Sequence, residues 1–184
     1  MIPAKRDFLE VELFTMTLMA TVQRAYIYRA GSREIERAAV RDSLHAELVR
    51  FADQYPNVVS EAKHAQNISS LSDRMSAAHH ETLNGGRFRI GSAQKALNLY
   101  LKYAWCLGWI SMPPHCPFDA VILAKLPKSR HIKWTKLDSL PQYEEIVANA
   151  KVAANGTPLA EWEPGLYNAA QPVGQKQRSK SIDR

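Results

Sequence analysis

The chain has 184 residues, 46% of them hydrophobic, enough to bury a core without disulfides or a metal and too many for an intrinsically disordered chain. Its formal net charge is +6, and its two cysteines, Cys106 and Cys116, exclude a disulfide framework and fit a reduced, cytoplasmic protein. Met1 to Asp7 is short and polar rather than a signal sequence, and no run of about 18 uncharged apolar residues follows, so neither a membrane span nor a membrane partner is expected.

The pattern along the chain is helical. Asp7 and Glu10 make a capping-box-like start, after which Phe8, Val11, Leu13, Phe14, Leu18, Val22, Ala25 and Tyr26 recur at near-helical spacing. Gly31 is expected to end this helix and Ser32 to cap the next, whose stripe is Ile35, Ala39, Leu44, Leu48 and Phe51. Tyr55, Pro56 and Asn57 break the pattern. A third helix is expected from Val58 to Leu83, interrupted near Asn67 to Ser70 and stopped by Asn84, Gly85 and Gly86.

A central helix follows from about Ser92 to Ile110, apolar around most of its circumference as a buried helix must be. One polar row interrupts it: Lys95, Asn98 and Lys102 share a face, continued by Trp105 and Trp109. The three prolines between Ser111 and Pro117 forbid helix. Asp119 is placed to cap a short helix from Ala120 to Leu126; Ser139 and Pro141 open another that Gly156 ends. Thr157 and Pro158 open the last, with Trp162, Leu166 and Tyr167. The expected fold is therefore all-α: a single multi-helix domain over residues 1–170, built around a buried central helix, followed by a basic disordered tail, 171–184.

The charge is unevenly spread. Residues 174–184 contribute +3, and the stretch from Lys125 to Lys136 contributes Lys125, Lys128, Arg130, Lys133 and Lys136 with no acid. These two segments together exceed the total of +6, so the rest of the chain is net negative by two. Cations interleaved with Trp134 suit phosphate contact with stacking, which makes a nucleic acid the expected partner.

The segment Gly91, Ser92, Ala93, Gln94, Lys95, the apolar helix after it and Pro117, Phe118, Asp119 resemble the helix-hairpin-helix DNA glycosylases, whose hairpin reads Gly-x-Gly-x-Lys and whose aspartate caps a following helix. The Gln-Lys pair and the prolines before the aspartate are most similar to the archaeal 8-oxoguanine glycosylase branch. Three departures stand out. Arg89 and Ile90 replace a Leu-Pro pair, Ala93 replaces the second glycine, and Lys95 and Asp119 lie 24 residues apart. The resemblance implies a helix-hairpin-helix-like element over about residues 85–126 and excision of a damaged or modified base from DNA, with possible AP-lyase chemistry and no cofactor. Lys95 is then the nucleophile, and Asp119 the carboxylate that stabilises positive charge developing on the sugar. Gly91 and Ala93 would hold phosphate at the turn, with Lys102, Lys125, Lys128, Arg130 and Lys133 gripping the strand. Asn98, Trp105, Trp109 and Trp162 would line a pocket for the flipped base.

Two other readings stand beside this one. Arg74 and His79 fit the Arg-x4-His pattern of HEPN-type ribonucleases, which are also all-α, act on RNA and dimerise to form their site, although Met75 stands where a polar residue is usual. A non-catalytic protein that keeps the hairpin only to bind DNA is the third. His79, His80, His115, Cys106 and Cys116 have no standard zinc spacing, so no metal is expected.

Overall fold

A computed structural model describes residues 3–170. Seven α-helices account for most of them: α1 (Pro3–Ala25), α2 (Glu34–Ala52), α3 (Glu61–His79), α4 (Ile90–Cys106), α5 (Ala120–Ala124), α6 (Leu140–Ala154) and α7 (Leu159–Ala170). Short 3₁₀ turns lie at Asn84–Gly86 and Trp134–Lys136. The described residues form no strand; one antiparallel bridge pairs Tyr28 with Leu83. The all-α expectation holds. The expected tail, 171–184, lies outside the described residues.

The central helix is α4. It packs against α1, α2, α3, α6 and the turn at Trp134–Lys136, and every residue from Ile90 to Leu101 is buried. One apolar core runs through it, drawing Leu13 from α1, Leu44 and Leu48 from α2, Ile68 and Leu71 from α3, Ile146 from α6 and Leu159 from α7.

Several boundaries differ from the sequence expectation. The first helix starts at Pro3, so Asp7 and Glu10 lie inside it; proline at a helix start gives up no hydrogen bond, and the helix needs no later cap. It stops at Ala25 because Tyr26 turns left-handed at φ 46°, before Gly31 is reached. Arg33, not Ser32, is the N-cap of α2, and Glu36 reaches back to accept from its backbone N–H at 2.8 Å. The Ser32 hydroxyl instead donates to the carbonyl of Arg29 at 2.7 Å. Helix α3 begins three residues later than expected, capped by Ser60, and continues unbroken past Asn67 to Ser70. Asn67 does not break it because its amide donates internally to the Tyr55 hydroxyl at 3.2 Å. Helix α4 begins two residues earlier than expected and ends at Cys106, with Gly108 left-handed beyond it. Helix α5 is capped by Asp119 as expected, and stops at Ala124.

Candidate functional site

The stretch from Gly91 to Lys95 is not a turn. All five residues lie in the first two turns of α4, and the backbone donors that a phosphate would need are already engaged. The Ile90 N–H donates to Asp138 Oδ1 at 3.1 Å, Gly91 to the Leu137 carbonyl at 2.8 Å, and Ser92 and Ala93 to the Arg89 carbonyl at 2.9 Å. Gly91 is required for space: a Cβ there would stand 1.7 Å from the Trp134 carbonyl oxygen. The expected phosphate grip at Gly91 and Ala93 is thus replaced by a protein contact. The glycine lets the segment after the basic loop close onto the head of α4, with Trp134 and Leu137 as its buried anchors.

One helical turn beyond Gly91, on the same side, Lys95 Nζ lies 2.7 Å from Asp119 Oδ2. The lysine side chain is 8% exposed and the aspartate 26%. Both carboxylate oxygens are occupied, because Oδ1 accepts the N–H groups of Val121 and Ile122 at 3.0 and 3.1 Å and so caps α5. Burial pushes the Asp119 carboxyl up. The Lys95 ammonium and these hydrogen bonds outweigh burial and leave it below the usual carboxylate range. The two residues named as nucleophile and electrostatic partner therefore meet, in an ion pair that leaves the lysine nitrogen no free lone pair.

The rest of the polar row points inward. Lys102 is half-buried and lies 2.6 Å from Glu163 of α7, itself buried. Asn98 is fully buried and belongs to a hydrogen-bonded network instead of a base pocket. Its Oδ1 lies 2.7 Å from His64 Nε2, and its Nδ2 lies 3.3 Å from both Gln94 Oε1 and the Tyr143 hydroxyl. The network runs on from His64 Nδ1 to the Tyr55 hydroxyl at 2.7 Å, and from the Tyr143 hydroxyl to His115 Nδ1 at 2.8 Å. Burial drives both histidines down to about 3; the neighbouring His115 adds to the effect at His64, and the Lys151 charge at His115. Sequence reading missed this network. Its one local signal is Gln94 and Asn98 at i, i+4 on a helix with no exposed face there; the other members arrive from the connection after α2, from α3, from the proline connector and from α6.

The three tryptophans come from different segments of the chain. Trp105 is half-buried in the last turn of α4. Trp109 falls beyond the helix, under the Arg6 guanidinium of α1 at 5.3 Å, and Trp162 packs on the core from α7. Arg74 is spent on α2, its Nη2 2.6 Å from Glu47 Oε1, while His79, five residues on, lies about 140° around the helix with its Nε2 unpartnered.

The basic loop alternates inward and outward. Leu126, Ser129, Trp134 and Leu137 are buried pegs, Ser129 also accepting from Asn149 of α6 at 3.0 Å. Between them Lys125, Lys128, Arg130, Lys133 and Lys136 are all exposed, and none has an ion pair among the described residues. Because Trp134 is a peg, it offers no stacking surface. Among the described residues no helix is long and apolar enough to cross a membrane, and no group of three or more His, Cys, Asp or Glu is placed to hold a metal. No protein family, curated protein or solved structure matches the chain.

Proposed function

We propose that the protein is a cytoplasmic nucleic-acid-binding protein that grips the phosphate backbone with the loop from Lys125 to Lys136. The observation that carries this reading is the loop itself: five exposed cations without acidic partners, on a segment held in place by four buried side chains. Such a surface is preorganised, so phosphate contact does not first require an ion pair to break or a loop to order. The test is anisotropy of labelled DNA and RNA, single- and double-stranded, with the wild type and a variant carrying Gln at all five cations. The expected result is binding that the variant loses; equal binding by both proteins contradicts the assignment.

Base excision from DNA is the second reading, favoured by the 2.7 Å approach of Lys95 and Asp119 one turn from the loop's anchor. In that reading bound DNA draws Asp119 off the lysine, the buried ammonium then gives a proton to water, and the amine attacks the sugar carbon as the N-glycosidic bond breaks and the base leaves protonated from solvent, while the carboxylate stabilises the positive charge on the sugar. Borohydride added to duplexes containing 8-oxoguanine, uracil or an abasic site should then trap an adduct that Lys95→Gln abolishes. No adduct with any of the three leaves only the binding function.

A further inference from the structure

A cleft of about 220 Å³ lies where the start of α1 meets the ends of α2 and α4. Val49, Ala52 and Ala104 give it apolar walls. Its polar groups come from all three helices. Arg6 and Glu10 stand one turn apart on α1, Asp53 is the C-cap of α2, and Tyr100 belongs to α4. Tyr100 is only 4% exposed. Its hydroxyl has no hydrogen-bond partner among the described residues, yet it is not sealed from solvent as the Trp109 indole nitrogen is. Burial keeps the phenol neutral, and the Glu10 and Asp53 carboxylates push its ionisation further up against the opposing Arg6 charge. The hydroxyl thus faces the charged end of the cleft with a proton to give.

The charges around it are left open. Neither Arg6 nor Asp53 has an ion pair among the described residues. Arg6 lies over the Trp109 ring at 5.3 Å, a contact that leaves its charge without a carboxylate. Glu10 gives Oε1 to His45 at 3.2 Å and keeps its second oxygen. The Asp53 carboxylate sits at the end of α2, where the helix carbonyls already make the field negative, a placement that a cation relieves. A simple anion meets two carboxylates here, and a simple cation meets Arg6. A molecule that carries both charges satisfies all four groups. We propose that this cleft is a binding site for a small aliphatic α-amino acid. The ammonium donates to Asp53 and Glu10, the carboxylate accepts from Arg6 and from the Tyr100 hydroxyl, and the side chain packs on Val49 and Ala104. The volume is below the usual range of ligand pockets, which limits that side chain to a few carbons.

The test uses L-valine as probe, followed by NMR of the whole protein. Isovalerate, which lacks the ammonium, and isobutylamine, which lacks the carboxylate, are the controls. L-Valine should shift the Trp109 indole and the amides of Ala52 and Ala104 saturably, and each control should bind about tenfold more weakly or worse. Tyr100→Phe deletes only an oxygen that bonds nothing among the described residues, so it should leave the melting temperature in place and weaken valine binding about tenfold. Asp53→Asn and Arg6→Gln, at exposed positions, should each weaken it about two- to fivefold. The absence of a saturable shift with L-valine, equal binding of either control, or a valine affinity unchanged in both Tyr100→Phe and Asp53→Asn would each overturn the proposal.

Discussion

Acidification from about pH 7 to about pH 5 should destabilise the fold strongly, through His64 and His115. Both are neutral in the folded protein, with their ionisation driven down to about 3 by burial, whereas an unfolded histidine titrates near 6.5. Below 6.5 the unfolded chain takes up protons that the folded chain refuses. The stabilisation is therefore complete above 6.5 and is lost as the pH falls toward 3, at about 1.4 kcal/mol per pH unit for each ring. Over the window from pH 7 to 5 that is about 2 kcal/mol per histidine and about 4 kcal/mol for the two, a large part of a typical 5–15 kcal/mol stability. The carboxylates that are depressed in the fold, Asp119 and Glu47 among them, move in a separate window, because an unfolded carboxylate protonates only near pH 4. Urea denaturation followed by circular dichroism at several pH values between 5 and 7 measures the slope. A stability constant across that interval would refute the neutral, buried assignment of both rings.

Three substitutions test other parts of the structure. Gly91→Ala places a methyl 1.7 Å from the Trp134 carbonyl oxygen; the backbone must move, and thermal melting should show a loss of about 3 kcal/mol. Melting near wild type would mean that the loop does not close on the head of α4. Asp119→Ala removes the α5 cap and leaves Lys95 without its carboxylate, at a combined cost of about 3 kcal/mol in denaturant titration. Lys95→Met in that background should recover part of the loss, since no cation is then left buried. Asn98→Leu strands donors and acceptors on His64, Gln94 and Tyr143 together; it should cost about 3 kcal/mol or more, readable from the same urea curves, and leave the pH dependence at least as steep, because burial and not Asn98 holds the His64 ionisation down.

Helix number and order were legible in the sequence because apolar periodicity and punctuation act locally. Asp119 and Ser139 cap the helices expected of them for that reason. The polar face of α4 was also legible, but its meaning was not. Lys95, Asn98 and Lys102 look like a cleft-lining stripe because their partners are absent from the local pattern. Asp119 is 24 residues away, Glu163 is 61 from Lys102, and His64 is 34 from Asn98. Periodicity carries no information over such separations. Gly91 misled for a related reason. A glycine ahead of a lysine suggests a turn, yet here it lies in regular helix and is needed for a carbonyl that arrives from 43 residues downstream. The basic character of the loop is plain in the sequence, and its cations are exposed; Trp134, expected to stack on a base, is the peg that holds it.

The most direct test of phosphate binding by the loop is the salt dependence of nucleic-acid affinity, compared between the wild type and the protein with Gln at Lys125, Lys128, Arg130, Lys133 and Lys136. Each phosphate contact releases counterions and steepens the plot of log K against log salt by about 0.9 on duplex DNA. Neutralising five contacting cations should make the slope shallower by about 4 to 5, whatever the tail contributes to both proteins. Identical slopes would show that the loop does not touch phosphate.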